Sequence, residues 1–402
     1  MLQILWGNTA CNHLPHLAQL DLTGAAYCEA RARLPLQVLQ TLLARCTARM
    51  AESVRETSRW LGHRLFVLDG SSFSMPDNAE LRDHFGQHGL QKSGCGFPIA
   101  HCLALVHYGS GLMQQVLTAP WRTHDLAQAA QLHPALELGD VLLGDRGFCS
   151  FAHLALLMNR HVHAIFRIHQ RVLVDFTPHR PHAVAKDGKT KASTGVPQSR
   201  WLQSLGRWDQ LVQWHKPTVR PTWLSAEAYA LLPPTLPLRE LRYQVSQRGF
   251  RSQEITLVTT LCDAKTYSYE ALCEVYRWPW TIETCFGHLK TTMKLDVLHC
   301  QTVEDVTKEL TMFLLVYNLV WMTMLAAAKR QGVSPARISF IDALRWLATA
   351  VPSDAWRALV VLPNRCDRSE PRVRKRCPKT YPLMTKPRAD LRQALVAREV
   401  RA

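Results

Sequence analysis

Three acidic residues stand in contexts that could support metal-dependent phosphoryl chemistry. Asp69 closes the apolar run in RLFVLDGSS (64–72), Asp145 closes the run in DVLLGDRGF (140–148), and Glu283 lies in YRWPWTIETCFGHLK (276–290). A short apolar run ending in Asp reads as a buried strand that delivers a carboxylate to a loop or cleft. One such Asp is usually a turn or capping residue; two of them after matching runs point to a shared site. Pro279 breaks the helical stretch before it and suits the first turn of a new helix, which then carries Glu283. Lys290, two helical turns on, returns to nearly the same face. A Glu and a Lys on one face are by themselves an ordinary solvated surface. Combined, two strand-end Asp and a helical Glu supply the oxygen donors that two hard divalent cations require, with positions left for water and phosphate. In such a centre one ion activates the attacking hydroxyl and the other stabilises the leaving oxygen, the two ions ~3.5–4 Å apart. Crowded carboxylates repel, so their deprotonation is linked to metal binding.

To meet, these residues need a sheet and helices packed on it. Residues 25–58 carry Leu, Val and Met at helical spacing among Arg and Glu, the pattern of amphipathic helices. The runs ending at Asp69 and Asp145, with IAHCLALVHY between them, predict strands of one mixed sheet in an α/β fold. After AIFRI the chain becomes rich in Pro, Trp, Lys and Arg as far as Arg251, and reads as a separate insertion of strands and loops. The strand signal resumes at EITLVTTL (254–261), followed by a helical stretch from Tyr269 to Leu295. Leu310–Ala328 has no charge over nineteen residues, about the length that spans a bilayer. Thr311, Tyr317, Asn318 and Thr323 interrupt it, and a buried core helix is the expectation. The predicted organisation is a helical region at 1–60, a core at 61–170 and 253–330, a β-rich insertion at 171–252, and a helical region with a basic tail at 331–402.

Composition narrows the partner. Forty-eight Lys and Arg against 32 Asp and Glu leave the 402-residue chain at +16, an excess that favours a polyanion, nucleic acid first. The segment from Pro363 to Arg388 alone holds nine Lys or Arg and two acids, and reads equally as a DNA-tracking arm or a solvated tail. Twelve Cys without a CxxC pair suggest neither a zinc ribbon nor a disulfide framework, and fit reduced thiols in a cytoplasmic protein.

The ordered set AYCEARARLP, LDGSSFSMPD, GFPIA, GDVLLGDRGFCSF, FRIHQRV, RGFRSQEITLVTTLCD, YRWPWTIETCFGHLKTTMKLDVLHC, KELTMFLLVYNLV and EPRVRKRCPKTYPL resembles bacterial transposases of the insertion sequence 4 family. The resemblance covers nearly the whole chain. It implies a ribonuclease-H-like core interrupted by a mostly β insertion, with Asp69, Asp145 and Glu283 as the DDE carboxylates binding two Mg²⁺ or Mn²⁺ ions. It implies DNA partners, namely terminal inverted repeats and target DNA, a homodimer in the DNA complex, and a place at the bacterial nucleoid. Hydrolytic nicking and strand transfer by the freed 3′-hydroxyl are the implied steps.

The family signature around the Glu is Tyr, two residues, Arg, three residues, Glu, six residues, Lys. Tyr276, Glu283 and Lys290 fill three places, and Tyr276 and Lys290 are expected to contact DNA; Pro279 stands where the signature has its phosphate-holding Arg. The family usually has more residues ahead of AYCEARARLP, so a shortened N-terminal region is expected. Two other readings stay open: a different nuclease with the same carboxylate core, and a chain that binds DNA without cutting. Among Trp201, Trp208, Trp214 and Trp223 of the insertion, one could stack on a flipped base, although core packing is the commoner role of any single Trp.

Overall fold

The structure is a computed structural model that describes residues 13, 21–55, 59–88, 92, 94–123, 125–183, 195–245, 253–277, 280–349, 356–363 and 384–399; the side chains of 253, 277, 280–283, 398 and 399 are not described. Helix α1 (Gly24–Arg33) starts at Thr23, whose hydroxyl accepts from the Ala26 N–H at 3.1 Å, and stops before Pro35. Helix α2 (Leu36–Val54) follows, with Leu39 buried against Met312 and Leu315.

The core then alternates: β1 (Leu65–Ser74), α3 (Ala79–Phe85), β2 (Ile99–His107), β3 (Met113–Pro120), α4 (Asp125–Leu132), β4 (Val141–Gly144), α5 (Phe151–Asn159) and β5 (His163–Arg167). The basic, Trp-rich region contributes β6 (Arg200–Gly206), β7 (Asp209–His215), α6 (Ala226–Ala230) and β8 (Thr235–Val245), after which β9 (Gln253–Thr259) returns. The described chain closes with α7 (Tyr269–Arg277), α8 (Trp280–Gly287), a π-helical turn (His288–Thr292), α9 (Val303–Gln331), α10 (Phe340–Thr349) and α11 (Arg388–Glu399).

These strands form one mixed sheet in the order β3-β2-β1-β4-β5-β9-β8-β7-β6. β1, β4 and β5 are parallel neighbours, and the other pairings are antiparallel. The fold class expected from the sequence, α/β with a mixed sheet, is therefore present. The region read as a separate insertion differs in one respect: β8 pairs with β9 from Arg239↔Thr259 to Val245↔Gln253, so β6–β8 extend the core sheet rather than building another.

The sheet is covered on both faces. Leu65, Val67, Val141, Leu143 and Ile165 pack with α7, α8 and α9 on one side; Phe66, Leu68, Leu142, Ala164 and Phe166 pack with α4 and α5 on the other. This is the alternation of strands buried on both faces.

Helix α9 lies on the first of those faces. It is the helix, among the described residues, long and apolar enough to cross a membrane, and 78% of its apolar window is buried inside the protein. Its polar residues explain why. Asn318 donates to the Met113 carbonyl at 3.0 Å and accepts from the Met113 N–H at 3.0 Å, and Tyr317 donates to the Gly111 carbonyl at 3.1 Å. Both contacts hold the start of β3, and they satisfy backbone groups that burial would otherwise penalise. Gly111 has φ +68°, and a Cβ there would meet the Trp321 ring at 2.7 Å, so only glycine fits this contact.

Candidate active site

Asp69 is not at a strand end as the sequence suggested. It is the fifth residue of β1, which runs on to Ser74 because β2 pairs with it along the whole length, from Phe66↔His107 to Ser74↔Ile99. On its other edge β1 loses its partner after Leu68↔Gly144. Asp69 therefore stands at the first residue where the β4 side of the strand opens, and Asp145 is the next residue after Gly144 on the neighbouring strand. Continuing the parallel register puts the two abreast, with backbones ~4.8 Å apart.

Both acids fall on the same face. Asp69 follows Leu65 and Val67 in the odd-numbered set, and Asp145 follows Val141 and Leu143; all four apolar residues face α7–α9. Asp69 Oδ1 also accepts from its neighbour Gly70 N–H at 2.8 Å. Helix α8, which carries Glu283, packs over β1 on this face through Cys285 and Phe286. The Glu283 side chain and all of Pro279 lie outside the described residues. Among the described residues no group of three His, Cys, Asp or Glu could hold a metal ion. Asp69 and Asp145 carry hard oxygen donors, the kind of ligand that Mg²⁺ or Mn²⁺ takes.

The helix segment is fastened to the strands at two points. The Tyr276 hydroxyl, on α7, donates to the Gly144 carbonyl at 3.1 Å, immediately before Asp145. Burial, then the charge of Asp145, push the phenol pKa well above its ordinary value, with Arg167 acting in the opposite direction. Tyr276 therefore stays a proton donor and clamps the end of β4. Tyr276 is buried, and its hydroxyl is engaged with the strand. Further on, Leu298 N–H donates to the Ser74 carbonyl at 2.8 Å, pinning the chain after the π-helical turn to the end of β1.

Lys290 departs from the helical reading. It lies in the π-helical turn, whose wider coil breaks the 3.6-residue repeat that would have aligned it with Glu283. Its Nζ stands 5.2 Å from the Phe73 ring centroid, half-buried; burial lowers its pKa, while Cys102 and Asp296 raise it.

Two features escaped the sequence reading. Arg167 ends AIFR on β5, beside Asp145, and its signal was a third apolar run like FVLD and VLLGD. A cavity of about 350 Å³ is lined by Arg207, Trp208, Arg242, Tyr243 and Tyr269, among others. The Arg207 and Arg242 guanidiniums lie 5.3 and 5.8 Å from the Trp208 ring centroid. A larger cavity of about 460 Å³ includes Leu65, at the opposite end of β1 from Ser74.

The profile of the family described as "Transposase DDE domain" matches residues 60–319, which include β1, β4, β5 and α8. The chain belongs to the DDE transposase family. This transposase is 24% identical over 386 residues to "Transposase InsG for insertion sequence element IS4" of Escherichia coli (strain K12), covering 90% of this chain and 78% of that protein. It is 30% identical over 102 residues to "Putative transposase InsZ" of the same strain, covering 25% of this chain and 34% of that protein. A cryo-EM structure of the piggyBac transposase synaptic complex with hairpin DNA aligns with a TM-score of 0.40 and 9% identity, over 71% of this chain and 51% of that one. The transposase is a member of the insertion sequence 4 group, an enzyme of DNA cleavage and strand transfer.

Proposed function

We propose that Asp69, Asp145 and Glu283 form the catalytic centre of this transposase, cutting DNA at the element's terminal repeats and joining the freed 3′-hydroxyl to target DNA. What supports this reading is that the parallel register of β1 and β4 ends at Leu68↔Gly144, one residue before Asp69 and Asp145, on strands whose odd-numbered face α8 covers. The strand order β3-β2-β1-β4-β5, with β1, β4 and β5 parallel, supports a ribonuclease-H-like core, and β6–β8 serve as the inserted segment.

Two Mg²⁺ or Mn²⁺ ions bound there would supply Lewis acidity for the attacking and leaving oxygens. The chain's own residues supply the rest. Asp69, in β1, and Asp145, one residue past β4, offer donor oxygens at the margin of a buried sheet, which limits the reorganisation needed in the transition state. Tyr276 keeps the end of β4, and with it Asp145, from shifting. Trp208, the one of the four insertion tryptophans that is exposed, stands beside two arginines and is the residue we assign to stacking on an extruded base. Two copies of the chain act on paired ends, and the net charge of +16 draws them to DNA at the nucleoid.

The test pairs a plasmid target with short duplexes taken from the DNA that flanks the coding segment, incubated with the full chain and Mg²⁺. The wild type joins duplex to plasmid, whereas Asp69→Asn and Asp145→Asn bind the duplex but neither nick nor join it. Nicking without joining by the wild type would favour a plain nuclease, and full activity in either variant would remove that residue from the centre.

A further inference from the structure

We propose that His101, held by Asp125, is a positioning residue that keeps Asp69 in place from the opposite face of the sheet. The inference rests on the catalytic centre proposed above. Beyond Leu68, β1 has lost β4 and is paired by β2 alone, so Asp69 and Gly70 stand where the strand is least supported. A glycine in a strand interior weakens it further, because no side chain packs there. Gly70 does not have the positive φ that would call for glycine. What calls for it is His101: a Cβ on Gly70 would lie 3.1 Å from His101 Nε2 and 3.5 Å from both His101 Cε1 and the Cys102 carbonyl oxygen. The ring takes the space that a side chain at position 70 would fill. Asp69 depends on that backbone directly, since the Gly70 N–H is a donor to Asp69 Oδ1, at 2.8 Å. A shift of Gly70 moves both the strand and a hydrogen bond that orients the carboxylate.

Register explains the approach. Gly70 is paired with Leu103 and Ser72 with His101, which makes His101 the diagonal neighbour of Gly70 across the ladder. Leu68 and Leu103 are buried on the α4–α5 face, so Gly70 and His101 share that face, while Asp69 follows Leu65 and Val67 on the other. An aromatic ring laid over a strand glycine supplies the packing that the glycine lacks. The ring is itself held from two sides. Its Nδ1–H donates to Asp125 Oδ1 at 3.0 Å, and Trp121 meets it edge-on with the centroids 6.2 Å apart. Asp125 is the first residue of α4, which is anchored on the sheet through Leu126, Ala129 and Leu132. Contact therefore runs from α4 through Asp125 and His101 to the Gly70 backbone, one residue from Asp69. A ring tethered in this way cannot move aside freely, which is why glycine at 70 and histidine at 101 belong together.

The test uses the full chain and measures Mn²⁺ binding from the paramagnetic resonance of the free ion, together with single-turnover cleavage of a duplex from the flanking DNA. His101→Ala should weaken Mn²⁺ binding and slow cleavage by about 10- to 100-fold, the usual loss when a group that orients a metal ligand is removed. Gly70→Ala, which pushes a methyl against the tethered ring, should do the same. In the double variant Gly70→Ala/His101→Ala the methyl occupies the space that the ring vacates, and both readouts should return to within about fivefold of wild type. Such cancellation marks coupling between neighbours, which a general loss of stability does not produce. Single losses that multiply in the double variant overturn the contact role. His101→Ala binding Mn²⁺ and cleaving within about twofold of wild type, while Asp69→Asn is dead, overturns the assignment and leaves the centre standing. Wild-type Mn²⁺ binding and cleavage by Asp69→Asn overturn the centre and this assignment with it.

Discussion

The strand side and the helix side of the candidate site are built by different rules. On the strand side, Asp69 and Asp145 each follow the last registered pair, Leu68↔Gly144, so that a side-chain period of two and a parallel register, both anchored in buried apolar residues, lead up to them. On the helix side, Tyr276 and Lys290 lie on either side of a proline and within a π-helical turn, where no single period applies. A carboxylate on a buried strand is fixed by its neighbours; one on a broken helix depends on how that helix is fastened. Here the fasteners are the Tyr276–Gly144 bond and the clip of Leu298 onto Ser74.

The largest expected effect asks whether the two sides act together. Glu283→Gln should cut Mg²⁺-dependent cleavage by at least about 1000-fold, as much as Asp145→Asn does, if the helix delivers its acid to the strand pair. A variant retaining a tenth of wild-type cleavage would confine the centre to the strands.

Acid should weaken the strand side from behind. The loop after Asp145 is held by His153, whose Nδ1–H donates to the Phe148 carbonyl at 2.8 Å, leaving Nε2 to accept from His133 Nε2–H at 2.9 Å. Burial lowers both pKa values, to about 4 for His153 and about 3 for His133. Folded-state values below the unfolded value mean that the unfolded chain takes up the protons first. The pair's stability is thus complete above pH ~6.5 and is lost as pH falls from there toward the folded values. Melting at pH 7.5 and 5 should show the drop, and His153→Gln should shrink it. An unchanged pH dependence in that variant would clear the pair.

A smaller effect is expected from the clamp. Tyr276→Phe leaves the Gly144 carbonyl buried without its donor and should cost about 1 kcal/mol of stability. Cleavage should fall by more than the stability loss explains, with duplex binding intact. Equal cleavage by Tyr276→Phe and wild type would reduce the bond to a packing detail.

How much of this could be read from the sequence follows the same division. The apolar runs before Asp69 and Asp145 foretold the strands, and the matching run before Arg167 carried the same signal. The continuation of β1 past Asp69 did not show, because GSSFS has weak strand character and is held by its pairing with β2. Nor did the joining of β8 to β9, a long-range choice that local pattern does not encode. The polar residues of α9 were legible as interruptions of an apolar helix, but their partners at Gly111 and Met113 belong to the tertiary fold. The π-helical turn at Lys290 had no sequence mark, so helical spacing suggested an alignment that the backbone does not keep.

Lys290 gives the smallest and most selective prediction. Its ammonium is half-buried over Phe73, and burial lowers its pKa without removing the opposing pull of Asp296. One lysine at a phosphate contributes about one counterion to the salt dependence of binding, so Lys290→Ala should flatten the slope of log K against log salt by ~0.9. Between 50 and 200 mM salt that difference is only about threefold, which calls for a full titration rather than two points. An unchanged slope would mean that the cation–π contact with Phe73 is the residue's whole role. In that case the helix side would contribute its acid alone.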